Sequence, residues 1–375
     1  MPRRLVARAA IAAAALALLA AAQPPPGPAL QGSFVWCAPA PAGAQAYAAF
    51  RRDFTLPSPP PAALLHLFAD ARYVLYVNGA TAARGPCRFD PRSPDYDTID
   101  VAMLLRPGKN SIAILAHNYG AGAIQGRMMY HAPGLTARLD VGASADSLAP
   151  LLSTDAQWAC SNATEHLPSP VAWSSIPDVI DLRAPIGAWT APDYDASGWP
   201  RASAAASPPG SSWGALLPRA LPMPREAPLG GLRLLYPGAP RPLADALPLT
   251  LRPGDSVQID LGLMAMAHTT IELDSSDAGN NLQCIYYISY ENGVPTEDHG
   301  VGCDYFTRAG AGQVCMYQRQ TRPPPTAHRP PPIAHRPSPT DPISTPAQSK
   351  ESTAGLRTTS SSALARAPAP SRCAT

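Results

Sequence analysis

Between Ala63 and His117 the apolar residues come in short, β-rich runs broken by turn residues. The runs are Ala63-Leu-Leu-His-Leu-Phe-Ala-Asp70, Arg72-Tyr-Val-Leu-Tyr-Val77, Tyr96-Asp-Thr-Ile-Asp-Val101 and Leu104 to Leu115. Asn78-Gly79 between two such runs predicts a β-hairpin, because a type I′ turn needs positive φ at both central residues. Pro107-Gly108-Lys109-Asn110 predicts a second turn with its own strand after it. Phe50 to Leu56 reads as a leading strand with Arg51 and Asp53 on its outer face. Leu135 to Val141 alternates apolar and polar, which predicts one face on a core and the other in water.

The pattern weakens from Asp155 to Pro228, yet five of the six tryptophans lie there: Trp158, Trp173, Trp189, Trp199 and Trp213. Indole rings at this density are expected to pin an irregular segment onto a neighbouring domain; a sugar-stacking platform is the alternative. β patterning returns near Leu249. Leu249 to Leu261 predicts a hairpin around Arg252-Pro-Gly-Asp255. Thr269 to Asp274 is another strand. Leu282, Cys284, Tyr286, Ile288 and Tyr290 alternate along a longer, central one after the turn at Gly279-Asn280-Asn281. From Thr321 the chain is rich in Pro, Ser, Thr, Ala and Arg without apolar periodicity. Such a tail buries too little apolar surface to offset its ordering entropy and is expected to be disordered.

The first residues predict a secretory signal peptide: basic Arg3, Arg4 and Arg8, an apolar Ala9 to Leu19, and small Ala20-Ala21-Ala22 before Gln23. The expected organisation is all-β. Residues 1–22 are the signal peptide and 23–32 a Pro-rich spacer. A first antiparallel β-sandwich spans 33–145, a Trp-containing connector packed on the β-domains 146–245, and a second, incomplete sandwich 246–320. Both sandwiches are expected to be jelly-roll-like, and 321–375 is the disordered tail.

Length and charge narrow the function classes. The chain has 375 residues and a net charge of +2, so it offers no basic footprint for nucleic acid. No segment after the signal peptide predicts a membrane span. Seven cysteines fit an oxidising, extracellular destination. Cys303 and Cys315 are the candidate disulfide, close enough in sequence to bridge a hairpin. Cys37, Cys87, Cys160 and Cys284 are further candidates whose connectivity sequence does not give. Asn162-Ala163-Thr164 is a candidate N-glycosylation acceptor at Asn162.

Candidate chemistry is thin. Asp95, Asp97 and Asp100 around Tyr96 have the oxygen ligands that Ca²⁺ takes, but Asp is equally a residue of sandwich turns, and turns are the expectation. Glu291, Glu297, Asp298, His299 and Asp304 read as a solvated acidic loop. Gly120 to Gly126 mimics a dinucleotide loop with the wrong spacing and no βαβ unit around it. Arg84-Gly85-Pro86 reads as backbone punctuation ending a hairpin. No cofactor, no metal and no catalytic residue is expected.

The ordered set Ala69-Asp70, Arg72-Tyr73, Leu75 to Gly79, Arg84-Gly85-Pro86, Tyr96-Asp97-Thr98, Asp100-Val101, Leu105, Gly108 and Asn110 resembles the N-terminal β-sandwich of the α-L-rhamnosidase family of glycoside hydrolases. Asp193-Tyr194-Asp195, Trp199, Trp213, Leu217-Pro218-Arg219, Pro222-Met223, Ile259 to Gly262 and Tyr287 to Glu291 extend the likeness to about Tyr317. The resemblance implies that the catalytic carboxylates sit on a helical barrel, to which nothing here corresponds. The expected function is therefore the non-catalytic N-terminal part of such an enzyme, associated with rhamnose-containing or other glycans, in a truncated chain or gene product. Two alternatives stand beside it: a free-standing carbohydrate-binding module, and a secreted structural or partner-binding protein with the tail as tether.

Overall fold

The computed structural model describes residues 30, 34–38, 44–86, 94–120, 133–169, 178–205, 216–223, 226–263, 268–286, 290–291, 294–295, 301–318, 357–358 and 363–366. The expected signal peptide lies outside them, as do most of the spacer and the tail, Cys87, Cys373, Trp173, Trp213 and Glu297 to His299. Regular structure among the described residues is all β, apart from short 3₁₀ turns at Ala102–Leu104, Ala145–Ser147 and Leu243–Asp245. No helix of the described residues is long and apolar enough to cross a membrane. The chain divides into two compact units, 1–164 with 187–226 and 165–186 with 227–375. The stretch expected to be a connector is thus shared between the units.

The first unit contains β1 (Val35–Trp36), β2 (Ala46–Leu56), β3 (Ala62–Asp70), β4 (Arg72–Val77) and β5 (Ala80–Gly85). These are followed by β6 (Asp95–Asp100), β7 (Gly108–Asn118), β8 (Gly134–Gly142), β9 (Ala149–Ser153) and β10 (Ala159–Ser161). One sheet runs Ser203–Ala204, β1, β8, β3, β6, Leu217–Pro218, with β9 alongside β8; the other runs β10, β2, β7, β4, β5. All pairings are antiparallel except Leu217–Pro218 with β6. Leu65, Leu67 and Leu139 of the first sheet and Phe50, Leu75, Ile112 and Ile114 of the second share one core, each fully buried. Each such side chain stabilises the fold by roughly 1.5–3 kcal/mol.

The predicted hairpin is present between β4 and β5, with Asn78 at φ 51° and Gly79 at φ 85°. The Asn78 side chain does more than tolerate the turn. Its Nδ2 donates to Leu104 O and to Asn110 Oδ1, both at 2.8 Å, while Ser111 N donates to its Oδ1 at 2.9 Å. Asn110 Nδ2 in turn donates to Arg106 O and Gly108 O. The two predicted turns are therefore one hydrogen-bonded knot.

Two outer faces expected to meet water are covered. Arg51 on β2 is only 1% exposed. Its Nη1 donates to Trp189 O and Ala191 O, both at 2.7 Å, and its Nη2 to Pro192 O at 3.3 Å. Its Nη2 also pairs with Asp53 Oδ1 at 2.7 Å. Trp189 packs edge-on against Tyr76 and tilted against Trp199, and Tyr194 lies against Trp199. The segment after Gly187 thus shields β2. On β8, Thr136 and Asp140 are buried as well, because Phe68, Tyr96, Leu30, Leu216 and Phe34 form a second apolar layer outside that sheet.

In the second unit, Leu282, Cys284, Cys303, Tyr305, Leu273, Leu251, Leu234 and Ile180 form the core. Asn281–Tyr286 is internal to its sheet as expected, between Val301–Phe306 and Arg357–Thr358. The expected Leu249–Leu261 hairpin is not made. Its turn exists, with Arg252 N donating to Asp255 Oδ2 at 2.7 Å. Leu249–Leu251, however, pairs with Ala363–Arg366, and Gln258–Asp260 pairs with Arg233–Tyr236. A local turn signal fixes a change of direction, not the sheet each arm joins. Ala363–Arg366 also pairs with His268–Ser275.

The cysteine expectation is corrected too. The disulfide among the described residues is Cys37–Cys160, joining the end of β1 to β10 across a separation of 123 residues. Cys303 is a buried free thiol, as is Cys284 opposite it. Cys315 sits on Gly310–Gln318, which belongs to a different sheet, so the 303–315 pairing lacks a shared ladder. Closing a loop this long restricts the unfolded chain strongly. Cys160→Ala is expected to lose about 2–5 kcal/mol of stability, read as a lower urea midpoint than wild type under oxidising conditions; an unchanged midpoint would contradict it.

Candidate functional site

Strand geometry separates the acidic triplet on β6. Successive side chains point to opposite faces, so Asp95 and Asp97 share one face and Asp100 takes the other. The three lie on a strand, not on the expected turns. Asp97 is fully buried between the sheets. Its Oδ2 accepts from Tyr73 Oη at 2.6 Å and its Oδ1 from Arg219 Nη1 at 2.7 Å. Arg219 also donates to Met223 Sδ at 3.1 Å and Pro222 O at 3.0 Å. Asp100 Oδ1 accepts from Ala102 N at 3.0 Å and caps the following turn. Burial pushes the Asp95 carboxyl above the usual carboxylate range, with Arg219 opposing the rise. Among the described residues, no three His, Cys, Asp or Glu side chains are placed to hold a metal ion.

The Tyr73–Asp97 bond also explains Arg84-Gly85-Pro86. Gly85 ends β5 opposite Tyr73 and is not at positive φ, so the sequence-based account by unusual φ is replaced by one of space. A Cβ on Gly85 would collide with the Asp97 carboxylate and lie 2.6 Å from the Tyr73 hydroxyl. Arg84 Nη1 reaches Glu226 Oε2 at 2.6 Å on the surface.

A second polar cluster lies on the outer face of the β3–β6–β8 sheet. His66 Nδ1 is 2.9 Å from Thr98 Oγ1, and its Nε2 is 3.5 Å from Asp140 Oδ2. Arg138 Nε donates to Asp140 Oδ1 at 2.6 Å. Tyr96 meets the imidazole edge-on, with ring centroids 5.4 Å apart. Burial lowers the His66 pKa below its ordinary value, Asp140 opposes this and Arg138 adds to it. Burial pushes Tyr96 up to about 12.

A second aromatic grouping lies around the corner from β3 to β4. Tyr47 stacks on His117 at 3.8 Å, Tyr119 meets His117 edge-on at 4.9 Å, and the Arg72 guanidinium lies 4.9 Å over the Tyr119 ring. The register sets this up: His117 is the ladder partner of Tyr47 on one side and of Arg72 on the other. Asp70 is fully buried there; its carbonyl accepts from Asn118 Nδ2 at 3.2 Å, and Ala71 N donates to His117 O at 3.0 Å. With Tyr47, His117 and Tyr119 at most 7% exposed, the rings serve packing, not open stacking. Residues 87–93 and 121–132 lie outside the described residues. Sequence reasoning missed the grouping, because its members are spread over three strands and only the register joins them.

The remaining candidates are quickly placed. Asp304 accepts from Asn281 Nδ2 at 3.1 Å and from Gln283 Nε2 at 3.3 Å, a cross-strand structural role. Trp158 is fully buried and donates to Ser153 O at 3.0 Å, and Trp189 is buried; both are packing residues. Asn162 is exposed, one residue beyond β10, with its Nδ2 3.3 Å from Cys37 O.

Residues 60–215 match the family described as the α-L-rhamnosidase N-terminal domain. A curated relative, the α-L-rhamnosidase of Streptomyces avermitilis, is 29% identical over 198 residues, covering 51% of this chain and 16% of the relative. The α-L-rhamnosidase structures from Dictyoglumus thermophilum and Aspergillus terreus share the fold at a TM-score of 0.53, with 17% and 16% identity. Each comparison covers 76% of this chain and 32% of the other. The chain thus spans about a third or less of the length of these proteins, and the likeness is to their N-terminal part, as the resemblance implied.

Two outcomes follow from the buried clusters. Arg219→Met leaves Asp97 buried without its counter-charge and is expected to cost about 3–5 kcal/mol, measured by urea unfolding; a loss within 0.5 kcal/mol would show Asp97 satisfied without it. The folded state favours neutral His66, so its contribution is complete above the ordinary imidazole pKa of about 6.5. It is lost as pH falls from there through the lowered folded value. The fall in urea midpoint from pH 8 to pH 5 should be smaller in His66→Gln than in wild type, and equal falls would contradict this.

Proposed function

We propose that this chain acts as the non-catalytic N-terminal β-rich part of an α-L-rhamnosidase-like glycoside hydrolase, associated with glycans but not hydrolysing them by itself. The observation that carries the reading is the family match over 60–215. Glycoside hydrolysis needs two carboxyl groups flanking the scissile bond, one to donate a proton and one to attack or to activate water. Asp97 is held by Arg219 and Tyr73, Asp140 by Arg138, and Asp53 by Arg51 and Lys109. Asp97 and Asp140, buried and so held, lack the access that either role needs.

In this reading the two units are jelly-roll-like sandwiches that would flank a catalytic domain. Export follows from the basic, apolar and small-residue order of 1–22, and the Cys37–Cys160 disulfide suits an oxidising compartment.

The purified full chain is expected to show no turnover of a chromogenic α-L-rhamnoside, and turnover above a buffer blank would overturn the non-catalytic reading.

A further inference from the structure

The core of the second unit contains two free thiols in direct apposition. Cys284 on Asn281–Tyr286 and Cys303 on Val301–Phe306 are ladder partners in an antiparallel pair, flanked by the matched pairs Gln283–Asp304 and Ile285–Gly302. Both are buried, at 3% and 0% exposure. The Cys303 Sγ points across the ladder, 3.6 Å from the Cys284 carbonyl oxygen. Directly opposed residues of an antiparallel pair have Cα atoms about 4.5–5.5 Å apart, inside the range of roughly 4.4–6.8 Å that a disulfide spans. The register therefore places the two cysteines within the span of a disulfide.

We propose that Cys284 and Cys303 form a second, cross-strand disulfide by exchange with a disulfide donor. One cysteine thiolate attacks a sulfur of the donor, giving a mixed disulfide and releasing one donor thiol. The other cysteine then displaces the second donor thiol and closes the bond. Two protons and two electrons pass from the protein thiols to the donor, which leaves as two thiols. Burial, reinforced by the neighbouring Cys284, pushes the Cys303 thiol far above its ordinary value. Since the thiolate is the reacting form, exchange is suppressed once the sheet has closed. The bond is made while the two strands are pairing, in the same oxidising interval that joins Cys37 to Cys160.

The test is refolding of the reduced full chain with oxidised and reduced glutathione, alkylation with iodoacetamide, and non-reducing digestion read by mass spectrometry. The expected result is a peptide pair linked through Cys284 and Cys303 beside the Cys37–Cys160 pair, both lost on treatment with dithiothreitol. Recovery of Cys284 and Cys303 as alkylated peptides while Cys37–Cys160 is linked would overturn the proposal, as would a Cys303–Cys315 linkage. An independent measurement uses Cys284→Ala/Cys303→Ala. Wild type should exceed this variant in urea midpoint when oxidised, by a margin that shrinks on reduction; a margin indifferent to reductant would count against the bond.

Discussion

The first unit depends on two arginines whose terminal guanidinium nitrogens are buried against protein acceptors. A guanidinium has five donors and cannot lose its charge, so taking it out of water is tolerable only if the protein supplies acceptors in the right places. Arg51 meets this with three backbone carbonyls of 189–192 and one carboxylate, and Arg219 with Asp97, a thioether and a carbonyl. In each case the partner lies more than a hundred residues away, apart from the local carboxylate, thioether and carbonyl. The ionic demand of one side chain thereby dictates the path of a segment with little secondary structure of its own. The 187–226 stretch is part of the sandwich for this reason.

Much of the fold was legible because it is local. Asn78-Gly79 demands positive φ, and the structure provides it at both residues. What was not legible depends on partners. Alternation placed Arg51 and Asp140 on outer faces correctly, but could not say that those faces are roofed by the segment after Gly187 and by Phe68, Tyr96 and Leu216. The Arg252–Asp255 turn was read correctly and its arms wrongly, since pairing is decided by which edge is vacant elsewhere. Cys303 was matched to its sequence neighbour Cys315, whereas the ladder places it beside Cys284.

Candidate sites followed the same division. Asp97 and Asp140 sit in settings that satisfy them internally, and Asp304 bridges two side chains of the facing strand. The ring cluster at the β3–β4 corner has no sequence signature because Tyr47, Arg72 and His117 belong to different strands and Tyr119 follows the strand of His117. It becomes visible only when the β2–β7–β4 register is known.

The residues that carried the family resemblance prove to be those that lock the sandwich. Asn78, Gly79, Gly108 and Asn110 make the turn knot, and Tyr73, Gly85 and Asp97 form one contact in which the glycine exists to leave room for a hydrogen bond. Tyr96 and Thr98 surround His66 in a closed polar cluster. A motif built from such residues identifies an architecture with good specificity, because each position answers a steric or hydrogen-bonding demand. It says nothing about chemistry, because none of those demands involves a substrate. Likeness in this part of the chain therefore transfers the fold, and an activity has to be argued from groups that remain free to meet a ligand.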